Sequence, residues 1–286
     1  MPGDVLLMGA VAYDPKVVTI WEGFRAWFTG AGLPFDFVLY SNYERQVEDL
    51  VDGRLDAAWN SPLAWVRSER LAAAGGRRVR SAVMRDTDQD LTSVVVVRAD
   101  SGIETIADLK GGTVATGAVD SPQATLLPLS FLRAQGLDPD GDLTVRRFDV
   151  GVGLHGDHIG GERDAARALM AGEVDAACMI DGNHLLFTRE GVLPAGATRV
   201  LAQTPVFDHC TMALVDTAPP ALADRFVELL LAMSYGDPVV RPLLDLEGLR
   251  EWRAGRTSGF GQLTAAVEES GFYGADGAVL AAGYRP

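Results

Sequence analysis

The sequence predicts an α/β protein built on mostly parallel sheets that are covered on both faces. Short apolar runs of strand length alternate with stretches carrying apolar residues at helical spacing, and several of the helical stretches close on a glycine. No repeat, low-complexity segment or Pro/Ser-rich linker interrupts the alternation. The 286 residues amount to about two compact units at roughly 100 to 200 residues each, and without a flexible tether the two are expected to be joined by strands.

The elements follow in order. Val5 to Ala12 reads as a buried strand, and Trp21, Phe24, Trp27 and Phe28 mark a helical stripe that stops at Gly30. Phe35 to Tyr40 is a second strand. Asn42 is placed to cap a helix through Val47 and Leu50 to Gly53, followed by the short strand Ala57-Ala58-Trp59 and a Ser61-Pro62 turn. A polar stretch, Asp86 to Asp90, precedes the strong strand Ser93 to Arg98. The pattern then restarts with a strand at Thr113 to Thr116, a helix from Ser121 to about Gln135, a strand at Leu143 to Val150, a helix at Arg163 to Ala171 and a strand at Ala176 to Ile180. A third tract offers strands at Val200 to Gln203 and Cys210 to Val215 and a helix from Pro219 to about Met233. The charge-dense Leu246 to Arg256 reads as a surface helix.

Composition excludes several roles. Lys plus Arg is 25 against 39 Asp plus Glu, a formal charge of −14, and no basic run offers a footprint for a phosphate backbone, so nucleic acid is not an expected partner. Hydrophobic residues make up 48% and charged residues 22%, as in ordinary globular proteins, and no segment supplies the roughly 18 uninterrupted apolar residues of a membrane span. Met1-Pro2-Gly3-Asp4 runs straight into an apolar strand without the pattern of an export leader, so the expected location is cytoplasmic, or periplasmic or extracellular if a signal peptide was removed. Cys178 and Cys210 sit in apolar runs and read as small core residues rather than a bridge.

Several stretches together resemble one family. Residues 43 to 58, from Tyr43-Glu44-Arg45 through Gly53 to Asp56-Ala57-Ala58, with Ser61-Pro62 after them, are similar to the helix, glycine and Asp-Ala strand of phosphate/phosphonate-binding solute receptors of ABC transporters. Ser93 to Arg98, Asp100-Ser101-Gly102-Ile103 and Ala107-Asp108-Leu109-Lys110-Gly111 resemble that family's crossing strand and the segment after it. Asp120-Ser121-Pro122-Gln123-Ala124 lies where the family has its anion loop, and Ala168 to Ala177 repeats the helix, glycine and Asp-Ala pattern. The resemblance covers roughly residues 5 to 235. It implies the type 2 periplasmic-binding fold, two α/β lobes crossed twice by the chain, with residues 1–92 in lobe one, 93–209 in lobe two, and 210–286 returning to lobe one with the C-terminal helices. It further implies a small anionic ligand in the interlobe cleft and, for an exported chain, a transporter permease as partner.

The departures point to a rebuilt pocket. Only Ser121 remains of the anion loop's hydroxyls, although a Ser N-cap, Pro122 at the first helical position and the amides of Gln123 and Ala124 still suit an anion. Glu162 stands where the family carries a ligand-contacting histidine, preceded by the unusual insert Leu154-His155-Gly156-Asp157-His158-Ile159-Gly160-Gly161, and Leu91-Thr92 replaces a tyrosine. The ligand-binding candidates are therefore Tyr13, Tyr43, Trp59, Asn60, Ser121, Gln123, His158, Glu162, Asp181, Asp208 and His209; Asp181 and Tyr13 follow strand ends, where α/β sheets collect ligands.

All four histidines fall between residues 155 and 209. His158 and Glu162 share a face if a helix starts at the glycine pair, and Asp208-His209 borders the second crossover. His155, His158, Glu162 and His209 thus form a candidate metal set suited to Zn²⁺ or Fe²⁺, with direct hydrogen bonding to a ligand and simple loop ordering as the alternatives. The leading reading is a solute-binding protein. The runner-up is a cytoplasmic enzyme on the same fold, with His158, Glu162 and His209 as catalytic candidates, and a ligand sensor is the third.

Overall fold

The computed structural model describes residues 5–286; Met1–Asp4, on which the expectation about export rested, lie outside them. In chain order the elements are β1 (Leu6–Val11), α1 (Lys16–Gly30), β2 (Phe35–Tyr40), α2 (Tyr43–Val51), β3 (Ala57–Asn60), α3 (Pro62–Ala74), β4 (Val79–Arg85), β5 (Ser93–Arg98), β6 (Thr113–Thr116), α4 (Leu127–Ala134), β7 (Thr144–Arg147), α5 (Gly160–Met170), β8 (Ala176–Ile180), α6 (Asp181–Arg189), β9 (Thr198–Gln203), β10 (Thr211–Val215), α7 (Pro220–Ala232), α8 (Arg241–Glu247), β11 (Trp252–Ala254) and α9 (Gly261–Ser270). They form two sheets, β11-β4-β10-β3-β1-β2 and β7-β6-β8-β5-β9. Each sheet has a parallel half, β3-β1-β2 and β7-β6-β8, and an antiparallel half where the chain crosses between lobes.

The first sheet carries the larger core. Trp21, Phe24 and Phe28 on α1 are almost fully buried, and Phe28 packs on Phe35 and Phe226, so the helical stripe read from the sequence docks against both β2 and α7. The second lobe has smaller cores on the two faces of its sheet, one under α5 and α6, the other around Leu109, Leu132 and Leu137. Cys178 is fully buried in the latter, and neither cysteine is bridged, as their apolar settings foretold.

Helix starts follow the local chemistry. The Asn42 side chain accepts from the amide of Arg45 at the head of α2, and the Ser61 hydroxyl accepts from that of Ala64 at the head of α3, with Pro62 at its first position. Ser121 caps the π-type turn 122–126 that leads into α4 in the same way. Several elements depart from the sequence reading, α6 and α9 among them. The helix α3 and the strand β4 follow a segment read only as a turn. Leu246 to Arg256 is not one helix: Gly248 sits at a φ of 82° and closes α8, and Trp252–Ala254 pairs antiparallel with β4.

Two segments cross between the lobes and pair with each other. Leu91 and Phe207 exchange backbone hydrogen bonds of 2.9 and 2.8 Å; the Thr204 amide donates to the Ser93 carbonyl and the Ser93 amide to the Thr204 hydroxyl, both at 2.9 Å. The junction of the lobes beside this hinge is the interlobe cleft; Asp181, after the end of β8, reaches it through its amide, which donates to the Thr92 carbonyl at 3.0 Å. Among the described residues no helix is long and apolar enough to cross a membrane.

Candidate functional site in the interlobe cleft

The insert after β7 is the first surprise of the cleft. It turns toward lobe one and places His155, fully buried, between the heads of α2 and α3. His155 Nδ1 lies 2.7 Å from the Ser61 hydroxyl and Nε2 lies 2.9 Å from Glu44 Oε1, while the ring stacks on Tyr43 at 4.8 Å and 16°. Tyr273, from the C-terminal segment, donates to the same Glu44 oxygen at 2.7 Å. Burial works against both charges, but the pair sustains itself. His155 and the hydroxyls of Tyr273 and Tyr284 bring the Glu44 carboxyl down to about 2, and Glu44, Asp120 and Asp157 together raise His155 above the usual histidine range. His155 has a φ of 50°, one of two positive values at non-glycine residues among those described. Such backbone persists only where its surroundings fix it. Asp120 supplies part of that grip by accepting from the amides of Gly153 and His155.

Two neighbours extend the insert's contact. The Tyr43 hydroxyl donates to Asp157, closing a second bridge between the lobes. Gly156 lies against the anion loop: its carbonyl accepts from Gln123 Nε2 at 2.8 Å, and a Cβ there would stand 2.5 Å from the Ser121 hydroxyl. The loop expected to receive an anion is therefore covered by the protein's own backbone. The Ser121 and Gln123 side chains are buried, with Gln123 also donating to Glu162 at 3.2 Å.

Glu162, on the first turn of α5, faces this junction. Burial pushes its carboxyl up to about 7, opposed by hydrogen bonds from Asn183, the Ile180 amide and Gln123 and by the charge of His209. Opposite it, lobe one contributes Tyr13, Arg85, Glu247 and the hinge pair His209-Cys210. Arg85 Nε and Nη2 hold Asp88 at 2.5 and 2.9 Å, its Nη1 reaches the Glu247 carbonyl and carboxylate, and its guanidinium lies 5.2 Å from the Trp59 ring centre. Burial raises Glu247 to about 7 despite Arg85, and burial likewise raises Asp157. Burial would raise Asp88 too, but Arg85 and His209 hold it at about 2. The Tyr13 hydroxyl, half-buried, is raised by burial and by Asp157 and Glu247. The cleft is thus a junction of titratable groups from both lobes, with acids in excess.

The sequence candidates separate in the structure. Tyr13, Tyr43, Gln123, Glu162 and His209 belong to this junction, and Trp59 lies beneath Arg85, packed edge-on against Trp252 at 5.6 Å. The metal set is not assembled. His158 precedes α5 instead of sharing its face with Glu162, is exposed, and only accepts from the Gly160 amide; His155 is spent on Glu44 and Ser61. The reason is local: the helix starts at Gly160, two residues too late to carry His158. Asn60 is committed to the core, accepting from Gln46 and donating to Ser68. Asp208 faces the hinge, held by Arg256 at 2.6 and 2.7 Å and by the Asp90 amide. Asp181 accepts from the Thr92 hydroxyl at the crossing strand. His184 lies inside α6, half-buried.

Sequence reasoning missed Arg85, Asp88, Asp157, Glu247 and the two tyrosines. Asp157 sits in the insert that was singled out, and Arg85 ends a strand before the polar stretch 86–90, so both carried a local signal; Tyr273, Tyr284 and Glu247 reach the cleft from far along the chain and carried none.

A family model described as "ABC transporter, phosphonate, periplasmic substrate-binding protein" matches residues 10–259, most of the chain. The chain belongs to this phosphonate-binding family of substrate-binding proteins. Solved structures agree on the fold. PhnD1 from Prochlorococcus marinus in complex with methylphosphonate is 14% identical, with a TM-score of 0.69 over 93% of this chain and 98% of that one. A Xanthomonas citri protein bound to ATP is 17% identical, with a TM-score of 0.70 over the same shares. The binding-protein component of a Pseudomonas aeruginosa ABC phosphonate transporter is 13% identical, with a TM-score of 0.58 over 88% and 82%. The two lobes and their double crossing are thus the type 2 periplasmic-binding architecture that the sequence resemblance implied.

Proposed function

We propose that the chain is a solute receptor that holds a small anion-bearing molecule between its lobes, as the initial step of uptake through a transporter permease. The observation that carries this reading is the convergence of Tyr13, Arg85, Glu247 and His209 from lobe one and the hinge with Asp157, Gln123 and Glu162 from lobe two. Each lobe offers half a site, so a solute contacting both stabilises the closed form by its differential affinity. An anion in an acid-rich cleft needs those acids protonated. Glu162 and Glu247, both near 7, supply this: protonated, they repel nothing and can donate to an oxyanion, beside the fixed charge of Arg85. The acid excess also selects solutes that carry a hydrogen-bond donor or cationic end besides the anion.

Calorimetric titration with methylphosphonate, phosphate and small sulfonates tests this. We expect saturable binding to at least one, weakened about tenfold or more in Arg85→Met. Absence of heat and of any thermal shift up to millimolar concentrations of the whole panel overturns it. The family's description is of periplasmic proteins, and fractionation of the native host tests whether this chain is exported.

A further inference from the structure

We infer that the hinge side of the cleft is a divalent metal site of zinc type, formed by Asp88, His209 and Cys210. It rests on the proposed solute reading only for the role of the open coordination position, not for the ion itself. One ligand atom from each of the three buried residues lies within 4.8 Å of the others. The individual separations resemble edges of a coordination tetrahedron. His209 Nδ1 is 3.1 Å from Cys210 Sγ and 3.6 Å from Asp88 Oδ1. Zinc bonds of about 2.3 Å to sulfur and about 2.0 Å to nitrogen and oxygen place such edges at about 3.5 and about 3.3 Å. The third separation, Cys210 Sγ to the Asp88 carboxylate, is within 4.8 Å and closes to about 3.5 Å on an ion bound by all three.

Arg85, already divided between Asp88 and Glu247, would orient the ligating carboxylate from behind, as second partners of metal-bound carboxylates do. His209 Nε2 is buried and without a hydrogen-bond partner among the described residues, so Nδ1 is the ring nitrogen that faces Cys210 and Asp88. With Nδ1 on the ion, the neutral ring carries its proton on Nε2 and presents it to whatever occupies the cleft. Binding converts the Cys210 thiol to a thiolate–metal bond and releases its proton to solvent. Three protein ligands leave a fourth position, and an anionic oxygen of the solute can fill it, which supplies the positive charge that the lost anion-loop hydroxyls no longer assist.

The test uses the full chain, stripped with a chelator and titrated with Zn²⁺ or Co²⁺ without solute, so that its result is independent of whether an anion binds. We expect one equivalent of ion, a thiolate-to-cobalt charge-transfer band in the near ultraviolet, and proton release on binding. Cys210→Ser abolishes the band while Cys178→Ser keeps it, and His209→Gln weakens affinity at least about tenfold whereas His158→Ala leaves it unchanged. Circular dichroism confirms that each variant is folded. A folded wild-type chain without a charge-transfer band, or one whose band and affinity survive Cys210→Ser and His209→Gln, overturns the site and leaves a thiol–imidazole hydrogen bond in its place. Methylphosphonate binding that persists in the stripped protein leaves the receptor reading standing without the ion.

Discussion

The substitution His155→Ala isolates the contact that ties the insert to lobe one. It removes a fully buried ring and leaves Glu44, 5% exposed, with the hydroxyls of Tyr273 and Tyr284 beside it in place of an ion pair at 2.9 Å. Breaking a buried pair by deleting one member costs about 3 to 5 kcal/mol, and the lost stacking on Tyr43 adds about 0.5 to 1.5 kcal/mol. Because the contact spans the lobes, part of that cost surfaces as opening rather than unfolding. Urea denaturation measures the first, and the radius of gyration from solution scattering measures the second. The pH dependence gives a sharper check. The folded pKa of His155 is raised from 6.5, so its share of the stability is complete below pH 6.5 and is lost as pH climbs through the raised value. That of Glu44 is lowered from 4.5 to about 2, so its share is complete above pH 4.5 and is lost as pH falls toward 2. The difference between wild type and His155→Ala should therefore be largest between about pH 4.5 and 6.5 and shrink on either side. A loss under about 1 kcal/mol, with unchanged scattering and a difference that does not shrink below about pH 4.5 or above about pH 6.5, would refute the buried ion pair as the latch.

Other outcomes follow from neighbouring contacts. Gly156→Ala adds a Cβ 2.5 Å from the Ser121 hydroxyl at a φ of 78°, so the insert should lift off the anion loop, giving faster proteolysis of residues 151–158 with the cores intact. Glu162→Gln should flatten the pH dependence of stability: with a folded value near 7 against 4.5 unfolded, Glu162 stabilises fully below pH 4.5 and loses that contribution as pH rises through 7, on the order of 3 kcal/mol by thermal or urea melts at pH 8. Asp208→Asn weakens the Arg256 clamp on the second crossing segment, and hydrogen exchange at Leu91 and Phe207 should accelerate by about tenfold while amides in β8 stay protected.

Local patterns were legible in the sequence because their causes are local. The α1 stripe, the Asn42 and Ser121 caps and the glycine after α2 each depend on residues within a turn or two, and the alternating runs were enough for the α/β class. Helix α3 was missed since Pro62–Ala74 is buried on most of its faces and lacks a clean stripe, and β11 was missed since its pairing with β4 is made from a distant part of the chain. The site divided along the same line. Glu162 stood out by replacing an expected histidine, and it lies buried beside Gln123, whereas His158 is not on its face because one helix boundary lies two residues away from where its spacing needed it.

The sequence by itself determined the class of fold, the family, and the insert as the place where this chain departs from the family's pattern. What only the tertiary structure decided is which charges meet. His155 turned from a metal candidate into Glu44's partner, Asp208 from a ligand contact into Arg256's, and Arg85, Asp88 and Glu247 entered the cleft from segments with no shared local pattern. The physical reason is that capping and periodicity act over a few residues, while desolvation and Coulomb energy depend on distances that only the folded lobes set.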